Sequence, residues 1–463
     1  MQIKKKLNFQ IETSSKDVPE LQILIKSIDD ANSFCTKCNK IIGKKRELKH
    51  YNEVHLCKRI SCPICGVKVK RLTPHLNLHF ENNKQSQIFD FCLSSTNNNN
   101  NSPVFFNNFS FSSISNNIYD EIMKNYNKDL IKYNNNIYAF KSFIIGEGIH
   151  SKFLFGLNKN TKMPIGIKIY KTEEVKDFKK ERTILNKLEK YNIFPKLLAF
   201  EENKKRNFIC ENLLGIDLMK LLKFENKNFD EITILNIAKD ILVCLSYLNN
   251  EQIAHCDLKG DNLIWNIFEE KDESSKIILI DFSCAINLNK KTNYSKIGSN
   301  FYSSLNQNLK KIPNAKDEIE SLIYTLLDLL NIDLPWLADD IKNKEMKKGI
   351  YVIEKTKFKI EEYLTLDIKI LGLIFNDIKR KEKMKREDYD FYIGLLNDQI
   401  ERLKSKLDLN YKFIWEPHIK DLLINAKKSN DYSIIDGKLF NNLFLGYPKE
   451  FILNILYKNF NIT

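Results

Sequence analysis

A short polar run between two apolar segments constrains the fold of this chain most strongly. It extends from His255 to Asn262 and contains Asp257 and Lys259, and Asp281 follows after an apolar stretch. Phosphoryl transfer uses one carboxylate to orient the attacking hydroxyl and another to hold magnesium, with a lysine and an amide beside the phosphates. The run supplies these residue types in the order that a phosphoryl-transfer centre needs.

Upstream of this run, the sequence predicts a β-hairpin with a glycine-rich turn. Gly146, Gly148 and Ser151 stand between two apolar runs, as expected for a hairpin whose backbone covers phosphates. A Gly-x-Gly pair alone is typical of many turns, so it indicates a phosphate-covering hairpin only together with the motifs that follow it. Ser151 stands where a third glycine is usual.

A strand with one lysine and a helix with one inward carboxylate come next. Lys168 is the charged residue of the alternating stretch Ile165 to Tyr170, which is typical of a strand lysine that grips phosphates. The alternative is a strand lysine that extends its charge to the solvent. Phe178, Glu181 and Leu185 recur at helical spacing, which places Glu181 on the helix face turned toward the fold. Glu181 is the predicted partner of Lys168.

Together these motifs resemble those of eukaryotic-type protein kinases, from about Tyr138 to Trp336. The segment 207–218 and the segment Gly298 to Asn306 are most similar to the casein kinase 1 and vaccinia-related kinase group. The resemblance implies an α+β bilobal fold, with a β-rich N-lobe and a helical C-lobe, and it implies ATP and Mg²⁺ as cofactors. It also implies a hinge between the lobes at Glu211 and Leu213, whose backbone would meet adenine.

The resemblance further implies a role for each matched residue of the polar run. Asp257 would orient the substrate hydroxyl, Lys259 would lie near the transferred phosphate, and Asn262 and Asp281 would hold magnesium. Lys168 would position the ATP phosphates. These roles imply a Ser/Thr protein kinase acting on protein substrates, and lysines in the activation segment favour acidic or already phosphorylated ones.

Several positions depart from the family pattern. Cys256 replaces the arginine that would pair with a phosphorylated activation loop, so activation by loop phosphorylation is not expected. Ser283 replaces the glycine of the metal-binding motif. Either Asp317 or Glu318 must supply the carboxylate that braces the catalytic loop, and Ile323 stands at a family glycine. The alternative interpretation is a pseudokinase scaffold that keeps the fold without turnover.

Two tandem cysteine and histidine patterns precede the kinase-like segment. They have the spacings Cys-x2-Cys-x11-His-x4-His and Cys-x2-Cys-x9-His-x3-His, which are close to that of tetrahedral zinc fingers. Units this small need Zn²⁺ to fold. The predicted zinc ligands are Cys35, Cys38, His50, His55, Cys62, Cys65, His75 and His79.

The predicted fingers are basic, because residues 34–80 contain eleven Lys or Arg against two Glu. Such a patch suits nucleic acid, while the Cys-Pro-x-Cys-Gly start of the second finger resembles small ubiquitin-binding fingers. Another protein partner and a purely structural role are further alternatives. Because no secretory signal is recognisable, a reducing intracellular compartment, nucleus or cytoplasm, is expected.

Composition suggests how the 463 residues divide into domains. The chain is 43% hydrophobic and has a net charge of +14, and no apolar run is long enough to span a bilayer, so no membrane partner is expected. The segment from Gly446 to Phe451 resembles a late C-lobe motif of casein kinase 1. The predicted units are an N-terminal extension (1–33), tandem zinc fingers (34–81), a Ser/Asn-rich linker (82–136), and a kinase domain (137–463) with an N-lobe at about 137–212 and a C-lobe at about 213–463 that includes a diverged or inserted helical region at about 340–445.

Overall fold

The computed structural model describes most of the chain after residue 114 and a few short strands before it. The described part is residues 115–462, except 134–135, 149, 204–206, 227, 269–275, 290–297, 337–343, 409–411, 430 and 432. The chain divides into two compact units, Met1–Ile88 and Phe89–Thr463. The predicted zinc fingers lie outside the described residues, apart from short backbone strands, and they stay a prediction.

In the first unit, the described residues form two small antiparallel sheets. One sheet has three strands and the other is a two-stranded hairpin. The five strands are Ile25–Ser27, Asn32–Cys35, Lys40–Gly43, Ile60–Ser61 and Lys68–Val69.

The second unit begins with a seven-stranded antiparallel sheet that forms the N-lobe. Its strands are β1 (Val104–Phe105), β2 (Leu130–Lys132), β3 (Ile137–Glu147), β4 (Ser151–Asn158), β5 (Pro164–Tyr170), β6 (Leu197–Glu202) and β7 (Asn207–Asn212). The strand order across the sheet is β1-β6-β7-β5-β4-β3-β2. Apolar residues that alternate along β5, namely Ile165, Ile167 and Ile169, are buried. The backbone of β5 pairs with β7 along one edge and with β4 along the other.

Two helices belong to this lobe, α1 (Asn116–Asn125) and α2 (Val175–Leu188). The sequence assigned residues 82–136 to a linker, whereas the structure places α1 and β2 in that range. The Ser115 side chain accepts a hydrogen bond from the Ile118 amide at the start of α1, and Ile122 is fully buried. A Ser/Asn-rich composition therefore concealed an amphipathic helix that belongs to the folded lobe.

The C-lobe is mainly helical and contains five short strands. The strands are β8 (Gly215–Asp217), β9 (Ile253–Ala254), β10 (Leu263–Asn266), β11 (Ile277–Leu279) and β12 (Ile286–Asn287). The helices are α3 (Leu218–Phe224), α4 (Glu231–Asn250), α5 (Leu305–Asn308), α6 (Ala315–Leu329), α7 (Lys344–Lys357), α8 (Lys369–Arg380), α9 (Arg386–Leu407), α10 (Trp415–Ser429) and α11 (Lys449–Asn459). The predicted bilobal α+β architecture, with a sheet-rich N-lobe and a helical C-lobe, is confirmed.

Helix α4 forms the centre of the C-lobe. It begins after Asp230, whose side chain accepts a hydrogen bond from the Thr233 amide at 2.9 Å. Apolar residues cover most of its circumference, as expected for a helix surrounded by other elements. Helices α6 and α9 and strand β11 pack against it. Together these elements form the support on which the catalytic loop lies.

The predicted diverged region, at about 340–445, consists mainly of helices α7 to α10. Its aromatic residues pack into the C-lobe core, where Trp336, Tyr324 and Phe358 form edge-to-face contacts. Trp415 at the start of α10 stacks on Phe413. No helix within the described residues is both long enough and apolar enough to cross a membrane.

The segment that begins at Gly446 lies against the N-lobe rather than within the C-lobe alone. Gly446 has φ +92°, and a Cβ atom there would come within 2.1 Å of the Ile144 carbonyl oxygen on β3. The Tyr447 hydroxyl donates a hydrogen bond to the Gly215 carbonyl oxygen at 2.9 Å, and Phe155 on β4 contacts Phe451. This segment, which the sequence assigned to the late C-lobe, therefore spans from the hinge to the sheet.

Candidate active site

The strand lysine and the helix carboxylate meet between the lobes. Lys168 Nζ on β5 lies 2.7 Å from both carboxylate oxygens of Glu181 on α2, and 3.0 Å from Asp281 Oδ1. Burial pulls the pKa of Lys168 down, but the charges of Asp281 and Glu181 outweigh burial and hold that pKa above its ordinary value. Lys168 therefore stays charged, and it joins the N-lobe to the metal-binding motif.

Tyr170 is part of this cluster, although sequence reasoning did not identify it. Its hydroxyl donates a hydrogen bond to Glu181 Oε2 at 2.5 Å. Tyr170 lies two residues after Lys168 on the same strand, so the two side chains point to the same face. The period-2 rule was the signal that would have placed Tyr170 beside the lysine. Tyr170 fixes one carboxylate oxygen while Lys168 contacts both.

Asp281 adopts a backbone conformation that exposes its carboxylate to the cleft. It has φ 65° and ψ 76°, in the left-handed region, and its Oδ1 accepts a hydrogen bond from the Ser283 amide at 3.3 Å. Lys180 on α2 donates a hydrogen bond to the Ser283 carbonyl oxygen at 2.7 Å. Burial alone would raise the pKa of Asp281, but Lys168 outweighs it and holds that pKa below the ordinary value. The carboxylate of Asp281 is therefore ionised at neutral pH.

The catalytic loop brings three predicted residues together. Lys259 Nζ lies 2.9 Å from Asp257 Oδ2, and the Asn262 side-chain amide donates to the same oxygen at 3.1 Å and to the Asp257 carbonyl at 2.8 Å. These bonds fix the orientation of the Asp257 carboxylate. They also use the amide nitrogen of Asn262, which leaves its amide oxygen for another partner.

Glu318, rather than Asp317, braces the catalytic loop. Its carboxylate accepts hydrogen bonds from the backbone amides of His255 at 2.7 Å and Cys256 at 3.2 Å. Burial raises the pKa of Glu318 to about 7, although these two amides act in the opposite direction. Asp317 instead accepts a hydrogen bond from the Asn314 amide and closes the capping box at the start of α6.

The segment that begins at Gly298 contacts Asp257, the predicted catalytic aspartate, directly. The Ser299 amide donates a hydrogen bond to Asp257 Oδ1 at 2.6 Å. A Cβ atom at Gly298 would lie 2.4 Å from the Cys256 carbonyl oxygen and 2.5 Å from Asp257 Oδ1, so only glycine fits there. The Gln307 side chain also donates to the Cys256 carbonyl oxygen at 3.1 Å. The segment and the catalytic loop therefore support one another.

The glycine-rich turn closes as the sequence predicts, between β3 and β4. The Gly148 amide donates a hydrogen bond to the Ser151 carbonyl oxygen at 2.9 Å, and the paired part of β3 ends with Gly146 opposite Phe153 and Glu147 opposite Lys152. His150 Nδ1 lies 2.5 Å from Glu174 Oε1 just before α2. This contact connects the turn to the start of the helix that carries Glu181.

At the hinge, Glu211 lies near the end of β7, and Leu213 is the first residue after that strand. Leu213 is 4% exposed and belongs to the main core. Glu211 pairs with Gly166 in the sheet, and its side chain is 7% exposed. Among the described residues, Oε1 of Glu211 has no hydrogen-bond partner. The sequence suggested contact with adenine through the backbone here and did not anticipate a buried carboxyl group.

The donor set suits a magnesium nucleotide. Mg²⁺ prefers carboxylate and carbonyl oxygens, which Asp281 and the amide oxygen of Asn262 provide on facing loops. A positively charged Lys168 suits phosphate oxygens. When bound, the magnesium ion would neutralise charge on the phosphates. Among the described residues, one other group could hold a metal ion, formed by His150, Glu174 and Asp177.

Comparison with known proteins agrees with this geometry. A family model described as the protein kinase domain matches residues 140–407. A protein of Dictyostelium discoideum named as a probable serine/threonine-protein kinase is 34% identical over 145 residues, which cover 30% of each chain. A casein kinase I homolog of Kluyveromyces lactis is 24% identical over 304 residues, 61% of this chain and 55% of that protein. Calcium-dependent protein kinase 5 of Plasmodium berghei is 25% identical over 384 residues, 81% of this chain and 61% of the relative. The matches therefore span from 30% to 61% of the length of these relatives.

Proposed function

Because this chain belongs to the protein kinase domain family, we propose that it is a Ser/Thr protein kinase that transfers the γ-phosphate of ATP to a protein hydroxyl. The observation that carries the proposal is the joint placement of Lys168, Glu181 and Asp281. Their contacts of 2.7 Å and 3.0 Å bring the strand lysine, the helix and the metal motif into one cluster.

Each residue of the cleft has one task in the proposed reaction. Lys168 binds the α and β phosphates, and Glu181 holds its ammonium group in place. Asn262 and Asp281 provide the oxygen ligands for magnesium. Asp257 accepts a hydrogen bond from the substrate hydroxyl and orients it for in-line attack. Lys259, 2.9 Å from the Asp257 carboxylate, offsets the negative charge that develops on the transferred group.

A casein kinase 1-like type is the finer part of the proposal. It rests on the motifs of the sequence and on one relative at 24% identity, so peptide preference must test it. The predicted basic residues of the activation segment, Lys290, Lys291 and Lys296, lie outside the described residues. Replacing all three with alanine should slow transfer to acidic peptides more than to neutral ones. Equal losses on both peptides would contradict an acidic preference.

We also propose that residues 34–81 form two zinc fingers that direct the kinase to nucleic acid or to ubiquitin. The spacing of the eight Cys and His ligands and the local excess of Lys and Arg support this. The full chain should bind two zinc ions, and Cys35→Ser with Cys62→Ser should release both. A chain that carries no zinc after purification without chelators would overturn the fingers. If this double variant loses binding to RNA and DNA but keeps binding to ubiquitin, the partner of the fingers is nucleic acid; the opposite pattern selects ubiquitin. A nuclear or cytoplasmic location is consistent with either partner.

The test of the kinase activity is transfer of labelled γ-phosphate from Mg-ATP to casein and to the protein itself. The native chain is compared with Asp257→Asn, which keeps the shape of the side chain and removes the orienting charge. We expect a loss of about 100-fold or more, since a positioned acid–base group contributes on that scale. If the folded native chain binds Mg-ATP but transfers no phosphate, the scaffold interpretation replaces the enzyme.

A further inference from the structure

A lysine of the diverged helical region is buried beneath the segment that approaches the catalytic aspartate. Lys355 lies near the end of α7 and is 2% exposed. Lysine is almost never buried to this extent unless its charge is matched by specific partners. Helical spacing places Lys355 on the same face of α7 as the buried Tyr351, whereas Lys357 lies on another face and is exposed. The position of Lys355 therefore needs an explanation from its contacts.

The ammonium group of Lys355 binds three oxygens of one short segment. Its Nζ atom donates hydrogen bonds to the Ser303 carbonyl oxygen at 2.5 Å, to Asn308 Oδ1 at 2.8 Å and to the Asn300 carbonyl oxygen at 3.2 Å. These three bonds use all the hydrogens of an ammonium group. Residues 299–308 are named the anchored segment here.

Aromatic rings surround the remaining faces of the ammonium group. Nζ lies 5.0 Å from the ring centre of Tyr324, 5.1 Å from that of Trp336 and 5.9 Å from that of Tyr351. Cation–π attraction over a ring favours the charged form of the lysine. The rings and the three oxygens together explain how a charge can be kept inside the C-lobe.

The anchored segment transmits this contact to the catalytic loop. The Ser303 amide and hydroxyl both donate to the Ser299 carbonyl oxygen, at 3.0 Å and 2.9 Å. The Ser299 amide in turn donates to Asp257 Oδ1 at 2.6 Å. Lys355 therefore holds one end of a short hydrogen-bonded turn whose other end orients the Asp257 carboxylate.

We propose that Lys355 is a positioning residue that holds the anchored segment against the catalytic loop, and that it governs phosphorylation of the protein substrate rather than binding of ATP. The proposal rests on the proposed kinase function. None of the three hydrogen bonds of Lys355 goes to a residue proposed to bind the nucleotide, such as Lys168 or Asp281. A protein substrate, by contrast, must place its hydroxyl next to Asp257, where the anchored segment ends.

The proton on Lys355 gives this anchor a pH dependence. Burial lowers the pKa of Lys355 to about 7, while the charge of Glu320 on α6 opposes this. Glu320 itself accepts hydrogen bonds from the Leu305 amide and the Tyr324 hydroxyl, each at 2.8 Å. A neutral amine has two hydrogens for three acceptors and loses its attraction to the rings. The anchor should therefore weaken as pH rises through about 7.

The experiment compares the native chain with Lys355→Met and with the control Lys357→Met. Three quantities are measured on each chain: hydrogen exchange of the anchored segment, binding of Mg-ADP by calorimetry, and phosphorylation of casein. In Lys355→Met, we expect exchange in the anchored segment to accelerate about tenfold and the kcat/KM for casein to fall about tenfold. The Kd for Mg-ADP should change less than about twofold. The control should match the native chain in all three measurements.

Three results would overturn the proposal. Lys355→Met could exchange like the control in the anchored segment, it could exchange faster across the whole C-lobe, or its Mg-ADP affinity could fall as far as its casein activity. If the native chain phosphorylates nothing, the kinase proposal fails, but the exchange measurement still decides the role of Lys355.

A measurement on the native chain covers the case in which Lys355→Met does not fold. Two signals are followed across neutral pH. One is the fluorescence of Trp336, which lies beside the ammonium group of Lys355. The other is hydrogen exchange of the anchored segment, corrected for intrinsic exchange rates. A shared transition near pH 7 supports the anchor, because that is where Lys355 loses its proton. If neither signal changes across that pH range, the proposal is overturned.

Discussion

The carboxyl group of Glu211 should make the stability of the folded kinase domain depend on pH. Glu211 is 7% exposed on β7, and its Oε1 atom has no hydrogen-bond partner among the described residues. Burial and the nearby charge of Glu181 raise the pKa of Glu211 to about 8, while Lys168 acts in the opposite direction. The ordinary value is 4.5. Glu211 is therefore mostly protonated in the folded protein at neutral pH and ionised in the unfolded chain.

This difference fixes the sign of the pH effect. Between the two pKa values the folded protein binds one more proton than the unfolded chain, so the free energy of unfolding falls as pH rises. The stabilisation is fully present below about pH 4.5 and is lost as pH approaches about 8. Each pH unit in this window costs about 1.4 kcal/mol. Between about pH 5 and pH 7, the native chain should therefore lose roughly 3 kcal/mol relative to Glu211→Gln, whose amide does not titrate.

Urea unfolding followed by tryptophan fluorescence at several pH values measures this difference. Subtracting the native result from the Glu211→Gln result removes the contributions of other titrating groups, such as Glu318. Glu201→Gln serves as the control, because Glu201 is a buried glutamate on the neighbouring strand whose Oε1 accepts a hydrogen bond from Asn203 at 2.6 Å. A Glu211→Gln difference that stays constant to within about 0.5 kcal/mol across the window would refute a neutral buried carboxyl group.

Two glycine positions give further predictions. In Gly298→Ala, the new Cβ atom would lie 2.5 Å from Asp257 Oδ1. Phosphate transfer to casein should therefore fall at least about tenfold, while the Kd for Mg-ADP stays within about twofold. A parallel loss of casein phosphorylation and of Mg-ADP affinity would show a general disruption instead. In Gly446→Ala, the Cβ atom would lie 2.1 Å from the Ile144 carbonyl oxygen at a residue with φ +92°. The strain should lower the free energy of unfolding by about 1–3 kcal/mol, measured as a decrease in Tm. An unchanged Tm would mean that the segment from Gly446 does not lie on β3.

The residues of the polar run could be predicted because their chemistry and their order are local properties of the sequence. Asp257, Lys259 and Asn262 lie within one loop, and the short run of β11 places Asp281 at its end. Helical periodicity was enough to turn Glu181 inward, because its neighbours on that face are apolar. In these cases the local pattern and the tertiary contact depend on the same residues.

The choice between Asp317 and Glu318 shows how a finer reading of local signals could have gone further. Asn314 followed three residues later by Asp317 has the spacing of a capping box, and the structure contains that box. A carboxylate that closes a cap is committed to the backbone of its own helix. Glu318 was then the residue left to brace the catalytic loop, which it does.

Other features lay outside the reach of sequence patterns because they join distant segments. Helix α1 lies in a Ser/Asn-rich range, and only its packing through Ile122 reveals that it belongs to the lobe. The segment from Gly446 is identified by backbone contact with β3, more than 300 residues earlier in the chain. Two of the three oxygens that Lys355 binds are backbone carbonyl oxygens, which no side-chain pattern encodes.

The charge balance of the cleft connects these findings. Lys168 has two carboxylates within 3.0 Å, those of Glu181 and Asp281, and the carboxyl group of Glu211 belongs to the same electrostatic cluster. Lys168 holds Asp281 ionised, and burial raises the pKa of Glu181 while Lys168 acts to lower that pKa. A third ionised carboxylate buried in the same place would add repulsion at low dielectric. The proton on Glu211 therefore lets Lys168 pair with Glu181 and Asp281, so the buried carboxyl at the hinge and the metal-binding motif depend on one another.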